Sequence, residues 1–310
     1  DLHRVDRRQR QMCIRDSCKE VCTKIRGMAF VRNYSRYSAD VVLHRNFDAF
    51  LDEPVRSGIN VIDCGQTLLE LHIQDRNAAT TLVVFHAAAD LSQTSLPLFT
   101  GERLTEGSEA NIVFVSDPML ERGCGIGWFT GDNDCKFQAE LVTILQKVQK
   151  ALAASNLIFY GSSAGGFAAL YYSHQFPNSL AVVSNPQTNI AEYHEAAVKQ
   201  YAQRVWKSDD ISAASATTDL VPLYAKSFPN YVAYLTNEKD EFHNSHHLAP
   251  WAQATEDSAK RRRFLVGDWG DGHASPPLYV LKGVIDFAIA VNGEWEEFFA
   301  DDGFSTTYSL

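Results

Sequence analysis

The chain has 310 residues, 45% of them apolar, which is enough for one large core or two modest ones. A formal net charge of −10 argues against a nucleic-acid partner held through phosphate contacts. No run approaches the ~18 apolar residues of a membrane helix, so no membrane span is expected.

In chain order, residues 18–60 are poorly legible and read as an N-terminal extension to a domain covering 61–310. From residue 60 onward, β-rich runs alternate with helical patterns, as in an α/β sheet covered on both faces. Residues 67–74 (TLLELHIQ) alternate like a half-buried strand. Residues 81–85 (TLVVF) and 111–115 (NIVFV) are continuous apolar runs of the kind central parallel strands show. Residues 136–154 form an amphipathic helix, with Phe137, Leu141, Ile144, Leu145, Val148 and Leu152 at helical spacing. A strand at 157–160, a glycine-rich turn and a helix at 164–174 follow. Further strands are expected at 180–183, 231–235 and 263–266, with a last helix over 277–291. Between them, 190–205 reads as helical and runs into a Ser/Thr/Ala-rich stretch. An insertion over about 188–229 is therefore expected to form a lid.

Residues 7–16 (RRQRQMCIRD) resemble a translated sequencing-library adapter of the kind found in metagenome assemblies. The expectation is that 1–17 are foreign and that the native start lies elsewhere. Five cysteines then remain, Cys18, Cys22, Cys64, Cys124 and Cys135, an odd and irregular set that does not read as a disulfide framework. Cys124 and Cys135 are placed to bridge the loop between them, but reduced thiols and a cytoplasmic location are expected. Cys18 and Cys22 lack the second pair that a zinc site needs.

The chemistry centres on FYGSSAGGFAAL, residues 159–170. Gly161-Ser162-Ser163-Ala164-Gly165 fits G-x-S-x-G, entered by an apolar strand and left by a helix. In that setting the central serine is forced into strained dihedrals with its Oγ projecting from the sheet. Ser163 is the candidate nucleophile. Ser162 is the lesser alternative, and close helix packing is the bland one. A serine needs a base. His174 sits roughly 16 Å down the same helix and cannot reach back. His194 lies in the lid, and His243, His246 and His247 follow the penultimate strand. His273, in the loop GDWGDGHASPP after the last strand, is the chosen base. Asp240 in NEKDEFH is the preferred acid to orient it, with Glu238, Glu241, Asp268 and Asp271 left open. The order Ser163, Asp240, His273 is the one used by α/β-hydrolases.

From about 65 to 292 the chain resembles an α/β-hydrolase, carried by YGSSAGG, NEKDEFH and DGHASPP. More narrowly it is similar to bacterial hydrolase-like proteins with GSSAGGF, NPQT (185–188 here) and a late G-H-x-x-P-P. The resemblance implies a mostly parallel sheet with helices on both faces, a helical lid, no cofactor, and acyl transfer, most often ester hydrolysis.

An oxyanion hole would take one N–H from Ala164 and one from the loop 86–90 (HAAAD), with Ala87 the choice. Related proteins often carry HGGG there, and three alanines leave open which N–H points inward. His86 is a candidate lining residue or a satisfied structural one. Trp128 and Phe129, in GIGWFTGD, read as exposed and as walls of an acyl pocket, with core packing the alternative. Asp240, His243, His246 and His247 are too tightly spaced for common zinc patterns, so no metal is expected. The sequence thus points to a serine hydrolase acting on a small-molecule or glycan-linked carboxylic ester. An acyltransferase or deacylase on a glycan is the second reading. A non-catalytic binding or export-accessory protein is the third, disfavoured by the intact Ser/Asp/His order. Oligomeric state is not legible.

Overall fold

The computed structural model describes residue 25 and residues 28–308. The adapter-like segment and Cys13, Cys18 and Cys22 lie outside the described residues. Among the described residues nine strands form one sheet: β1 (Val41–His44), β2 (Gly58–Cys64), β3 (Thr67–Gln74), β4 (Thr80–Phe85), β5 (Asn111–Ser116), β6 (Asn156–Ser162), β7 (Leu180–Ser184), β8 (Tyr231–Asn237) and β9 (Arg262–Gly267). Their spatial order is β1-β2-β3-β5-β4-β6-β7-β8-β9. Only β3 runs antiparallel to its neighbours, β2 and β5. Residues 41–64, which carried little sequence signal, thus supply two strands of this sheet.

Two cores line its faces, and the strands divide their side chains between them by strict alternation. Val83, Phe85 and Phe159 point to one face, while Leu82, Val84, Ile158 and Tyr160 point to the other. The first face is covered by α1 (Phe137–Ala151) and α2 (Ala164–His174), the second by α3 (Leu278–Ala290). Helix α1 buries Phe137, Leu141, Ile144, Leu145 and Val148, the stripe its periodicity foretold. Truncating one of these, as in Leu141→Ala, removes about 2–5 kcal/mol of stability. Helix α2 is buried on nearly all sides because it lies between the sheet and the segment joining β7 to β8. That segment contains the insertion expected to form a lid. Its predicted single helix over 190–205 is broken into a 3₁₀ turn (Ile190–Glu192), an α-helix (Glu195–Tyr201) and a π-turn (Ala202–Trp206).

The strand ends position the site. Phe85 pairs with Gly161, Ser162 with Ser184, Ser184 with Leu235, and Asn237 with Gly267. The loops after β4, β6, β7, β8 and β9 therefore leave from one edge of the sheet. From β4 the chain crosses to β5 on one side, then returns to β6 on the other. Ligands bind at such a switch point, where the departing loops diverge.

Candidate active site

Ser163 follows β6 and starts α2 with φ 54° and ψ −117°. A non-glycine residue holds such a conformation at a cost of about 1–3 kcal/mol, and the surroundings must enforce it. They do so through the glycines. A Cβ on Gly161 would sit 2.0 Å from the Gly165 carbonyl oxygen, and one on Gly165 would sit 2.5 Å from that of Phe85. Only bare backbone lets the chain reverse this tightly.

Asp240 ends the turn after β8 and is 2% exposed. Its Oδ2 accepts from His273 Nδ1 at 2.5 Å, although the two residues come from different loops. Glu238, Glu241 and Asp271 are exposed, and Asp268 pairs with Lys239 at 2.7 Å. Two asparagines hold the His273 loop. Asn237 donates to the carbonyls of Gly270 and Gly272 and accepts from Trp269 N–H. Asn185 donates to the Ala274 carbonyl at 2.8 Å. Ser275 Oγ lies 3.5 Å from Ser162 Oγ, so the loop abuts the serine turn.

A second histidine uses the other oxygen of Asp240. His243 Nδ1 lies 3.0 Å from Oδ1, and the His243 backbone N–H donates to the same atom at 3.2 Å. The two imidazoles stack with centroids 3.8 Å apart, yet their side chains are 3% and 38% exposed for His243 and His273 respectively. Burial would raise the Asp240 carboxyl, but the hydrogen bonds from His243 and His273 hold it well below the usual carboxylate range. Burial pulls His243 below the ordinary imidazole value, against the attraction of Asp240.

Among the described residues no hydrogen bond joins Ser163 to His273. Ser163 Oγ instead accepts from Gln187 Nε2 at 2.9 Å, and the same nitrogen lies 2.9 Å from His243 Nε2. Trp128 fixes which way this amide points. Its Nε1–H can only donate, and it meets Gln187 Oε1 at 3.2 Å, so the NH₂ faces Ser163 and His243. His243 then carries its proton on Nδ1 and accepts at Nε2. Because Gln187 is the donor to Oγ, the serine's own proton is not used in this bond. Gln187 sits in the NPQT stretch, and neither it nor His243 was assigned a site role from sequence. The i,i+3 spacing of Asp240 and His243 was a readable signal for the second pair.

The remaining candidates separate clearly. Trp128 and Phe129 are not exposed as expected: both are fully buried, because consecutive left-handed residues (φ 51° and 55°) turn their rings inward. Phe129 packs on Phe85 and His86, while Trp128 packs on Tyr193 and Tyr201 of the segment between β7 and β8. His86 is structural in its contacts, Nδ1 bonding the Ala87 carbonyl and Nε2 accepting from Asp117 N–H at 3.0 Å. Burial pulls it down to about 4, so it is neutral. The N–H groups of Ala164 and Ala87 have no protein acceptor among the described residues. His174 faces the Ser227 carbonyl, His194 stacks on Phe242, and His246 pairs with Glu192. His247 is buried against the Thr188 N–H.

Donor atoms of Asp240, His243 and His273 lie within 4.8 Å of one another. The 2.5 and 3.0 Å nitrogen–oxygen spacings are those of hydrogen bonds. Two ligands of one tetrahedral cation stand about 3.3 Å apart, given ~2.0–2.2 Å bonds. Cys64, Cys124 and Cys135 are free, and Cys135 meets Cys64 rather than Cys124. Among the described residues no helix is long and apolar enough to cross a membrane.

No protein-family model matches the chain, and no curated protein matches it in sequence. Solved structures do match. A capsule O-acetyltransferase of Neisseria meningitidis serogroup A superposes with a TM-score of 0.56 at 13% identity, covering 76% of this chain and 96% of that one. An S-formylglutathione hydrolase from Agrobacterium tumefaciens gives a TM-score of 0.52 at 14% identity, covering 76% and 94%. A glycosylation-associated protein complex from Streptococcus agalactiae gives 0.52 at 15%, covering 78% of this chain and 46% of that one. At these identities the likeness speaks for architecture: the chain has the α/β-hydrolase fold.

Proposed function

We propose that the protein is a serine hydrolase that cleaves a carboxylic ester through an acyl-enzyme. The observation that carries this reading is the hydrogen bond between His273 and Asp240, formed beside a Ser163 held at φ 54°. In this reading Ser163 Oγ attacks the ester carbonyl carbon while His273 Nε2 takes its proton. Asp240 keeps the other imidazole proton on Nδ1 and stabilises the imidazolium. The N–H groups of Ala164 and Ala87 receive the developing oxyanion, where one such donor is worth about 10²–10³ in rate. Collapse expels the alcohol, which takes its proton from His273. Water, deprotonated by the same imidazole, then releases the acid and restores Ser163. Gln187 donates to Oγ and so leaves the serine proton for His273.

The likeness to a capsule O-acetyltransferase favours one second reading, in which a glycan hydroxyl replaces water as the acyl acceptor. Both share the acyl-enzyme and differ only in what resolves it.

The test is turnover of short p-nitrophenyl esters together with labelling by a fluorophosphonate. Wild type should do both, and Ser163→Ala should lose both. Folded protein that shows neither, or a Ser163→Ala variant that keeps its rate, overturns the proposal. An oligosaccharide that accelerates acyl release and becomes acylated would favour the acyltransferase.

A further inference from the structure

Three donor atoms that serve no part of the serine chemistry converge where β2 ends and α1 begins. Cys135 Sγ lies 3.6 Å from Glu140 Oε2, and Cys64 Sγ lies 3.9 Å from the same oxygen. All three donors fall within 4.8 Å of one another. Cys135 is buried and the other two are half-buried. The Glu140 carboxylate has no ion pair among the described residues, and its hydrogen bonds there come only from the two thiols. The cluster therefore has no counter-charge among the described residues.

Its dimensions match a tetrahedral cation. With bonds of about 2.3 Å to sulfur and 2.0–2.2 Å to a carboxylate oxygen, a tetrahedral angle separates the two ligands by about 3.5–3.7 Å. The measured 3.6 and 3.9 Å are two such edges to within a few tenths of an ångström. Two thiolates with one carboxylate suit a soft or borderline ion, and they do not suit the all-oxygen shells of calcium or magnesium. We propose that Cys64, Cys135 and Glu140 bind a divalent cation of the Zn²⁺ class, with water in the fourth position. Binding forms two metal–sulfur bonds and one metal–oxygen bond and releases the two thiol protons to solvent. The ion fastens the end of β2 to the loop before α1. That loop carries Trp128, which orients Gln187 against Ser163. The site is thus a structural clasp, one loop removed from the serine.

The experiment titrates the full chain, reduced with a phosphine and stripped with chelator, using Cd²⁺ as a thiolate-reporting probe and Zn²⁺ against a chromophoric indicator. Wild type should bind one equivalent more than Cys135→Ser and Cys64→Ser, with a sulfur-to-cadmium charge-transfer band that both variants lack. Cys13, Cys18 and Cys22 are present in all three proteins, so the difference reads this site alone. Glu140→Gln keeps both thiols and should weaken binding by about tenfold or more. It serves as the folded control should a cysteine variant fail to fold. Zn²⁺ should raise the melting temperature of wild type and not that of Cys135→Ser. Equal stoichiometry and affinity in wild type, Cys135→Ser and Glu140→Gln overturns the proposal. So does a chain whose only response is a Cys64–Cys135 disulfide in air, with no added cadmium band after reduction.

Discussion

Replacing Asp240 by asparagine tests the site most sharply, because the carboxylate serves two imidazoles with different acceptors. Oδ1 takes two donors from His243, its backbone N–H and Nδ1, while Oδ2 takes one, from His273 Nδ1. Asparagine offers one oxygen and one NH₂. With the oxygen on the His243 side, two bonds survive. With it on the His273 side, one survives. One neutral hydrogen bond is worth about 0.5–1.5 kcal/mol, which biases the amide severalfold toward the first arrangement. The NH₂ then opposes His273 Nδ1–H, and that ring must move its proton to Nε2, the atom that should accept from Ser163. The expected loss is about 10⁴ in kcat, the size seen when a triad imidazole is held in the wrong tautomer, or about 5.5 kcal/mol of barrier. Stability should fall far less, because the His243 bonds persist. Steady-state p-nitrophenyl ester hydrolysis, alongside thermal melts of the same protein, measures both. Folded Asp240→Asn within about tenfold of wild-type kcat would refute the tautomer argument.

Two histidines on one carboxylate make their ranking a second test. His273→Ala should reduce turnover by about 10³-fold or more, whereas His243→Phe, which preserves the stacked ring, should cost at most about tenfold; the reverse ranking in kcat would assign the base to His243. Gln187→Met strands two buried groups, Trp128 Nε1 and His243 Nε2, at about 1–3 kcal/mol each. Its denaturation midpoint should fall accordingly, and an unchanged midpoint would contradict the network. Stability should also decline from about pH 6.5 toward pH 4. Burial holds His86 at about 4 and His247 at about 3, so the unfolded chain takes up their protons first as pH falls. His72, held at about 4, and His44, His174 and His243, all lowered by burial, act the same way. Asp117, pushed up to about 6, and Glu70 and Asp219, also raised by burial, act in the opposite sense because there the folded state protonates first; the lowered histidines outnumber the raised carboxyls. A melting temperature that is flat or rising over that window would sink this account.

The elements that sequence located best are those whose burial is self-evident in one dimension. Strands β4 and β5 are unbroken apolar runs, and α1 has a clean stripe, so each was placed to within a few residues. Strand β2, GINVIDC, hides a buried polar residue: Asn60 is tolerated because it bonds His44 and the carbonyls of Arg56 and Gly58. Those partners come from the strand's own entry and from β1, which no local pattern announces. The same reason separates the two halves of the site. Ser163 is written into its neighbours, since the glycines that permit its turn are adjacent in sequence, and Asp240 and His273 follow from where strands end. Gln187 carries no such mark. Its role exists only when three distant segments close on one amide, Trp128 from before α1, His243 from after β8 and Ser163 from after β6. A buried polar network of this kind is stabilising only when complete, because each member left unpaired costs more than its bond gains. Complete, it donates to the serine oxygen and leaves the hydroxyl proton outside the network, which is what the proposed transfer to His273 requires.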